Sequence, residues 1–273
     1  MGEGSMDSIN NLLDAYFDNL EKEMPDNLEA FYLYGSSSLG AYQEGRSDID
    51  FIAVIKKKAA DKDIQILKRV HKLMHKHSKI PLDGWYVIQE DLGCRDKSEI
   101  PALRFNEGKF YGENKFDKNS IDAYQLKKYG IAVKGPNIEQ AVLEVDWDIL
   151  LKNMRNNLNT YWVNWVCGCR KFPSARYIYS LASLSCIEWG VLGISRLYFT
   201  FREYDITSKA GAGEYALQTV PEKWHKIIHE SLRLRKGIKK SSYTSIFERR
   251  REALGYMEYI IEECNRHFKS QIL

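Results

Sequence analysis

At 273 residues the chain has room for two domains, each able to bury a core of its own. Its 40 basic and 37 acidic side chains leave a net charge of only +3, so nothing global draws it toward nucleic acid or a membrane surface. No apolar run approaches the ~18 residues of a membrane span, and the acidic start (Glu3, Asp7) is no secretory leader. Five scattered cysteines make no disulfide framework, and Cys167-x-Cys169 lacks a second pair at zinc spacing, so reduced thiols in the cytoplasm are expected; separately, the chain is expected to be a monomer.

The opening MGEGSM reads as a tail. Asp7–Met24 then carries Ile9, Leu12, Leu13, Tyr16, Phe17 and Leu20 at helical spacing and is stopped by Pro25. The stretch from Leu33 to Ile55, LYGSSSLGAYQEGRSDIDFIAVI, reads as strand, Gly-Ser turn, short helix, turn and second strand. Gly35 permits the tight turn and close backbone approach that a phosphate site needs. Ser36, Ser37 and Ser38 add hydroxyls and amides at the start of the short helix, where anions are favoured. Asp48 and Asp50 stand two apart at the head of the apolar run Phe51–Ile55, so on a strand both carboxylates point to one side. Carboxylates so placed repel unless a cation lies between them. Mg²⁺, which takes one or two carboxylates plus phosphate oxygens, is the natural cation. A D-x-D alone is common at turns and solvated strand ends; its combination with Gly35-Ser36 and a second apolar strand is what points to nucleotide chemistry.

Lys56–Lys58 is expected as a solvated loop and Asp61–His77 as an amphipathic helix. His71, His75 and His77 crowd the end of that helix. With no partnering carboxylate they suit a basic helix C-terminus better than zinc. Leu82–Ile88 reads as a third strand, and Asp83 near its start is an acid entering an apolar run, a local inconsistency of the kind found at functional places. Cys94–Lys118, polar with scattered glycines and aromatics, is expected as loop or irregular strand bordering an acceptor pocket. Asp122–Tyr129 reads as a short helix, and Tyr129–Pro136 (YGIAVKGP) as a last strand closed by a Gly-Pro turn.

The composition then turns helical. Asp148–Cys169, Ala175–Phe201, Ser208–Val220, Glu222–Gly237 and Ser242–Phe268 all show helical patterns, and the second is apolar enough for the centre of a bundle. The expected fold is an α/β N-terminal domain over residues 1–147, a small mixed sheet with helices, followed by an all-α helical bundle over 148–273.

The order strand, Gly35-Ser36, then Asp48-Ile49-Asp50 on a second strand resembles the signature of the nucleotidyltransferase superfamily, which includes DNA polymerase beta and the aminoglycoside adenylyltransferases. Ile194-Ser195-Arg196-Leu197-Tyr198 and the run Ile206–Leu217 (ITSKAGAGEYAL) resemble the C-terminal helical domain of streptomycin/spectinomycin adenylyltransferases, and YGIAVKGP is similar to the segment joining their two domains. The resemblance runs from about residue 28 to 260. It implies ATP as co-substrate, bound between the domains, and Mg²⁺ on Asp48 and Asp50. It further implies Ser36 and Ser47 at the phosphates, Lys209 reaching them from the helical domain, and Arg196 as a basic residue in the same nucleotide cleft. Asp83 matches the third, catalytic carboxylate, usually Glu in the family, as general base, metal ligand or both. From the residues alone, Lys209 at a helix start gains nothing from the dipole, and Arg196 inside an apolar helix needs an anionic partner.

A cationic acceptor requires carboxylates, for which Glu107 and Glu188, with Glu144 and Asp146, are placed. Members that modify streptomycin carry a Trp and aspartates where this sequence has Gly108, Ala182 and Cys186, so the resemblance favours spectinomycin. Arg235 stands where the family has a tyrosine near the nucleotide. The implied function is Mg²⁺-dependent transfer of AMP from ATP to a hydroxyl of an aminoglycoside-type antibiotic, releasing pyrophosphate. The partners are then ATP and a small-molecule acceptor, with no nucleic acid and no membrane. The alternatives are a nucleotidyltransferase acting on protein or nucleic acid and an inactive nucleotide-binding homologue; near-neutral charge weighs against a nucleic-acid acceptor, and three retained carboxylates against inactivity.

Overall fold

Alternating apolar residues turn the N-terminal half into one sheet with both faces covered. The computed structural model describes residues 3–78, 80–138 and 143–271, and the chain divides into two compact units, Met1–Leu150 and Leu151–Leu273. In the first, strands β1 (Leu28–Tyr34), β2 (Ile49–Ile55), β3 (Leu82–Ile88), β4 (Glu99–Asn106), β5 (Lys109–Asp117) and β6 (Ile131–Lys134) lie in the order β5-β4-β3-β2-β1-β6. Neighbours are antiparallel except β2 and β3, which run parallel. Parallel neighbours need a crossover rather than a tight turn, and helix α3 (Asp61–Ser78) supplies it.

The strand period sends Phe31, Leu33, Phe51, Ala53 and Tyr86 to the face covered by α3 and by α1 (Glu3–Glu23). Tyr32, Ile52, Val54 and Val87 face the other way, toward Leu92 of α4 (Gln89–Leu92) and Ala123 and Leu126 of α5 (Ile121–Tyr129). A four-residue helix, α2 (Gly35–Ser38), follows β1 directly. Helix α1 begins at Glu3, inside the stretch expected as a tail.

Two local expectations are revised in this unit. Most of Cys94–Lys118, expected as loop or irregular strand, is a hairpin of β4 and β5 whose register shifts between Leu103 and Phe105; β5 is a sheet edge exposed along most of its length, so its sequence lacks the alternation that marks a strand. His71 is not part of a solvated basic helix end. Its ring is fully buried, 4.1 Å from Phe105 and 5.7 Å from Phe51, with Nε2 2.7 Å from the Tyr86 hydroxyl, which lies 2.5 Å from that of Tyr16. Burial depresses its pKa to about 3, so the ring is neutral.

The second unit is helical. Helix α6 (Trp147–Asn157) continues through a π-helical turn at Leu158–Trp162 into α7 (Val163–Arg170). The single long helix expected over Ala175–Phe201 is two, α8 (Ala175–Ala182) and α9 (Leu184–Glu203), bent by 95°. The break is Ser183, extended at φ −95° and ψ 117°, whose hydroxyl accepts the Cys186 N–H and caps α9. Against α9 pack α10 (Lys209–Thr219), α11 (His225–Arg235) and α12 (Ile246–Gln271). Ser245, accepting the Glu248 N–H at 3.3 Å, lies just ahead of α12, which begins later than the expected Ser242.

Buried charge fastens these helices. Glu230, buried in α11, is 2.7 Å from Arg233 and from the Ser241 hydroxyl and 3.6 Å from Arg249 of α12. Burial pushes its carboxyl up, but Arg233, Ser241 and Arg249 more than offset this and hold it below the ordinary range. Arg250 lies 3.9 Å over the Tyr177 ring and donates to Ser180 Oγ and to the Cys169 carbonyl, tying α12 to α7 and α8.

Three outcomes follow. His71 has a folded pKa below its ordinary 6.5, so its stabilising difference is full above that value and is lost as pH falls toward 3. Urea unfolding of the first unit should therefore lose about 2 kcal/mol between pH 7 and pH 5, and His71→Phe should abolish that loss. Glu230→Gln, leaving Arg233 and Arg249 uncompensated, should lower the stability of the second unit by ~3–5 kcal/mol in denaturant titration. Glu258→Gln, which breaks the exposed pair with Arg170, should lower it by less than ~1 kcal/mol.

Candidate active site

The strand pairings put one row of side chains across three strands. Tyr34 of β1 is in register with Asp50 of β2, and Asp50 with Asp83 of β3. Residues in register share a face, so the two carboxylates rise side by side from backbones ~4.8 Å apart. Asp48, two residues before Asp50, is exposed just ahead of β2, and its charge acts on Asp83. Gly35 completes the row. At φ +69° it occupies the left-handed region, and a Cβ there would fall 1.7 Å from Asp50 Oδ2. Its carbonyl accepts from the Gln125 side chain of α5 (2.9 Å), the Ser38 hydroxyl (3.2 Å) and the Leu39 N–H (3.3 Å). The turn is thus moulded around the Asp50 carboxylate and held from beneath.

Asp83 is buried and held by the β4–β5 turn. Asn106 Nδ2 donates to its Oδ2 and the Glu107 N–H to its Oδ1, both at 2.7 Å. Burial pushes the Asp83 carboxyl above its ordinary range; the Glu107 N–H and Arg104 pull it back, and the charges of Asp48 and Glu107 push it further up. Arg104 is in register with Trp85, stacks 4.5 Å over that ring and bonds the Tyr34 hydroxyl.

The remaining expected residues have the following places. Ser36 Oγ in the Gly35 turn is buried without a hydrogen-bond partner. Ser47 is buried, and its hydroxyl accepts the Gln43 N–H at 3.1 Å, closing the loop that delivers Asp48. In the helical unit, Lys209 opens α10 behind its Ser208 cap, and Arg196 lies half-buried within α9. Glu107 is exposed at the hairpin tip, at φ +48°. Glu188 is paired with Arg235 at 3.5 Å, which supplies the physical partner of that unexpected arginine. Glu144 pairs with Arg95 at 3.3 Å, and Asp146 accepts the Asp148 and Ile149 N–H groups as a cap of α6.

Asn106, Arg104 and Gln125 escape a sequence reading because each acts through a partner distant in the chain. For Asn106 one signal was present: Asn-Glu-Gly-Lys at 106–109 is a two-residue hairpin turn in composition.

The donor set can be tested against Mg²⁺. Among the described residues no three His, Cys, Asp or Glu side chains converge into a metal cluster. Asp48 and Asp50 instead offer one or two hard carboxylates beside an unpartnered serine hydroxyl. That suits an ion completing its shell with water and substrate oxygens, as Mg²⁺ does.

Residues 187–259 match the family described as aminoglycoside adenylyltransferase, C-terminal domain. The matched stretch lies within the helical unit. No curated protein matches the chain. Among solved structures it is similar to the spectinomycin adenyltransferase AAD(9) from Enterococcus faecialis, crystallised with ATP and spectinomycin. The identity is 14%, over 93% of this chain and 99% of that one, with a TM-score of 0.69. At that identity the likeness is one of fold, and it covers the mixed sheet as well as the helices. Residues 187–259 thus resemble an aminoglycoside adenylyltransferase C-terminal domain, in a chain that shares its fold with a spectinomycin adenyltransferase.

The fit between Gly35 and Asp50 can be measured without any ligand. Gly35→Ala should destabilise the first unit by at least ~1–2 kcal/mol from its left-handed backbone, with the clash against Asp50 in addition. Asp50→Gly should relieve the clash and leave the backbone penalty. A double-mutant cycle should therefore show a coupling of about 1 kcal/mol or more, whereas strictly additive effects would reject the moulded turn.

Proposed function

We propose that this chain transfers AMP from ATP to a hydroxyl of an aminoglycoside-type antibiotic, spectinomycin in preference to streptomycin, and releases pyrophosphate. The observation that carries the proposal is the in-register pair Asp50 and Asp83 beside a glycine turn shaped to Asp50, in a chain whose residues 187–259 match the aminoglycoside adenylyltransferase C-terminal domain. The similar AAD(9) structure contains ATP and spectinomycin, which supports both substrates. Gly108, Ala182 and Cys186 are the positions that favour spectinomycin.

Asp83 accepts the proton of the acceptor hydroxyl. The freed oxygen pair forms a bond to the α-phosphorus, the bond from that phosphorus to the bridging oxygen breaks, and its electrons leave with pyrophosphate. Asp48 and Asp50 would hold Mg²⁺, which when bound offsets charge on the phosphate oxygens. Ser36 offers the phosphates a hydroxyl not used inside the protein, and Ser47 stands at the base of the loop carrying Asp48. Lys209 and Arg196 are the cations of the helical unit proposed for the same phosphates. For a cationic acceptor, exposed Glu107 is available directly, whereas Glu188 would have to exchange its pairing with Arg235. The proposed enzyme is a cytoplasmic monomer acting on a small molecule, with no nucleic-acid or membrane partner.

The test is ATP-dependent pyrophosphate release with spectinomycin, with streptomycin and with no acceptor. Release should be greatest with spectinomycin and should fall by ~10²–10⁴ in Asp83→Ala, the range for loss of a general base. An Asp83→Ala variant as fast as wild type would remove Asp83 from the chemistry. Absence of release with every aminoglycoside would overturn the acceptor.

A further inference from the structure

Resting on the adenylyl transfer just proposed, we infer that Asn106 is a positioning residue. Together with the β4–β5 turn it fixes the carboxylate plane of Asp83 so that the acceptor hydroxyl meets it in one orientation. Each Asp83 oxygen takes one donor, Asn106 Nδ2 on Oδ2 and the Glu107 N–H on Oδ1, both at 2.7 Å. A carboxylate held this way cannot rotate about its Cβ–Cγ bond without losing both hydrogen bonds, which are of the stronger, charge-assisted kind.

The turn that delivers the two donors is itself held. Asn106 pairs with Lys109 around Glu107 and Gly108, whose φ values of +48° and +72° are those of a tight two-residue hairpin. Gly108 lies so close to α3 that a Cβ on it would come within 2.6 Å of His75 Cβ. On the preceding residue, Phe105 is buried and stacks on His71 of the same helix at 4.1 Å. A line of contacts therefore runs from the crossover helix through the hairpin turn to the proposed base. Asn106 is only partly buried and belongs to neither hydrophobic core, so its amide contributes direction rather than packing.

Two variants separate direction from packing. Asn106→Asp keeps size and shape but turns the donor facing Asp83 into an acceptor; Asn106→Ala removes the group. Both should lower kcat for pyrophosphate release about 10–100-fold, the scale of a misoriented catalytic group, with KM for ATP and spectinomycin changed less than about 3-fold. The melting temperature should stay near that of wild type. Wild-type kcat in Asn106→Asp would overturn the inference, as would a fall in kcat matched by equal losses in KM or melting temperature.

A second readout does not depend on turnover. In protein labelled with ¹³Cγ-aspartate, the Asp83 signal, assigned by its absence in Asp83→Asn, should shift or broaden in Asn106→Ala at constant pH. Should wild type release no pyrophosphate, adenylyl transfer fails while this signal still decides the contact. An unshifted Asp83 signal rejects the role of Asn106.

Discussion

The parallel pairing of β2 with β3 is the constraint on which the site depends. In a sheet otherwise antiparallel, only this pairing brings the starts of two consecutive strands to the same edge, and Asp50 and Asp83 stand at those starts. Antiparallel pairing would have sent them to opposite ends. The arrangement crowds like charges on one edge, where Asp48 and Glu107 push the Asp83 carboxyl up. The structure answers with donors on Asp83 and with Arg104, and it leaves Asp50 facing a glycine where any side chain would intrude. Parallel pairing also demands the crossover α3. The aromatic layer under that helix, Phe31, Phe51, His71 and Phe105, gives the carboxylate edge a rigid floor on the opposite face.

The helical unit is organised by different physics. Its strongest local ties are charges taken out of water, Glu230 between two arginines and Arg250 lying over Tyr177. Such groups stabilise little in net terms compared with an apolar core. Each removal of one partner is expensive, however, so they specify which helices meet. The right-angled break at Ser183 belongs to the same logic: a short polar side chain capping α9 ends what composition alone would continue.

Much that depended on neighbours in the chain was legible, though the Ser183 cap that splits the central helix was not. Gly35, Ser36 and the Asp48/Asp50 spacing are local features, although Asp48, expected on the strand with Asp50, lies just ahead of β2. Asp83 stood out as an acid where a strand should be apolar. The rest was set by partners far away. His71 looks like a solvated helix-end histidine until Phe105 and Tyr86 close over it. Asn106 acquires its purpose from a carboxylate 23 residues earlier, and Arg235 from a glutamate 47 residues away. The β4–β5 hairpin was hidden because an edge strand exposed along most of its length has no alternation to read.

That same edge governs how the molecule behaves toward its own copies. A sheet with open margins invites a neighbour's strand to hydrogen-bond to it, the first step toward fibres or exchanged dimers. One margin here is β5, where Lys109, Glu113 and Lys115 are exposed and Lys115 is paired to Glu99 at 2.9 Å, so an incoming strand would have to bury charge. The other is β6, four residues long and too short to template a stable addition. Charge on one margin and shortness on the other oppose strand addition to the folded sheet.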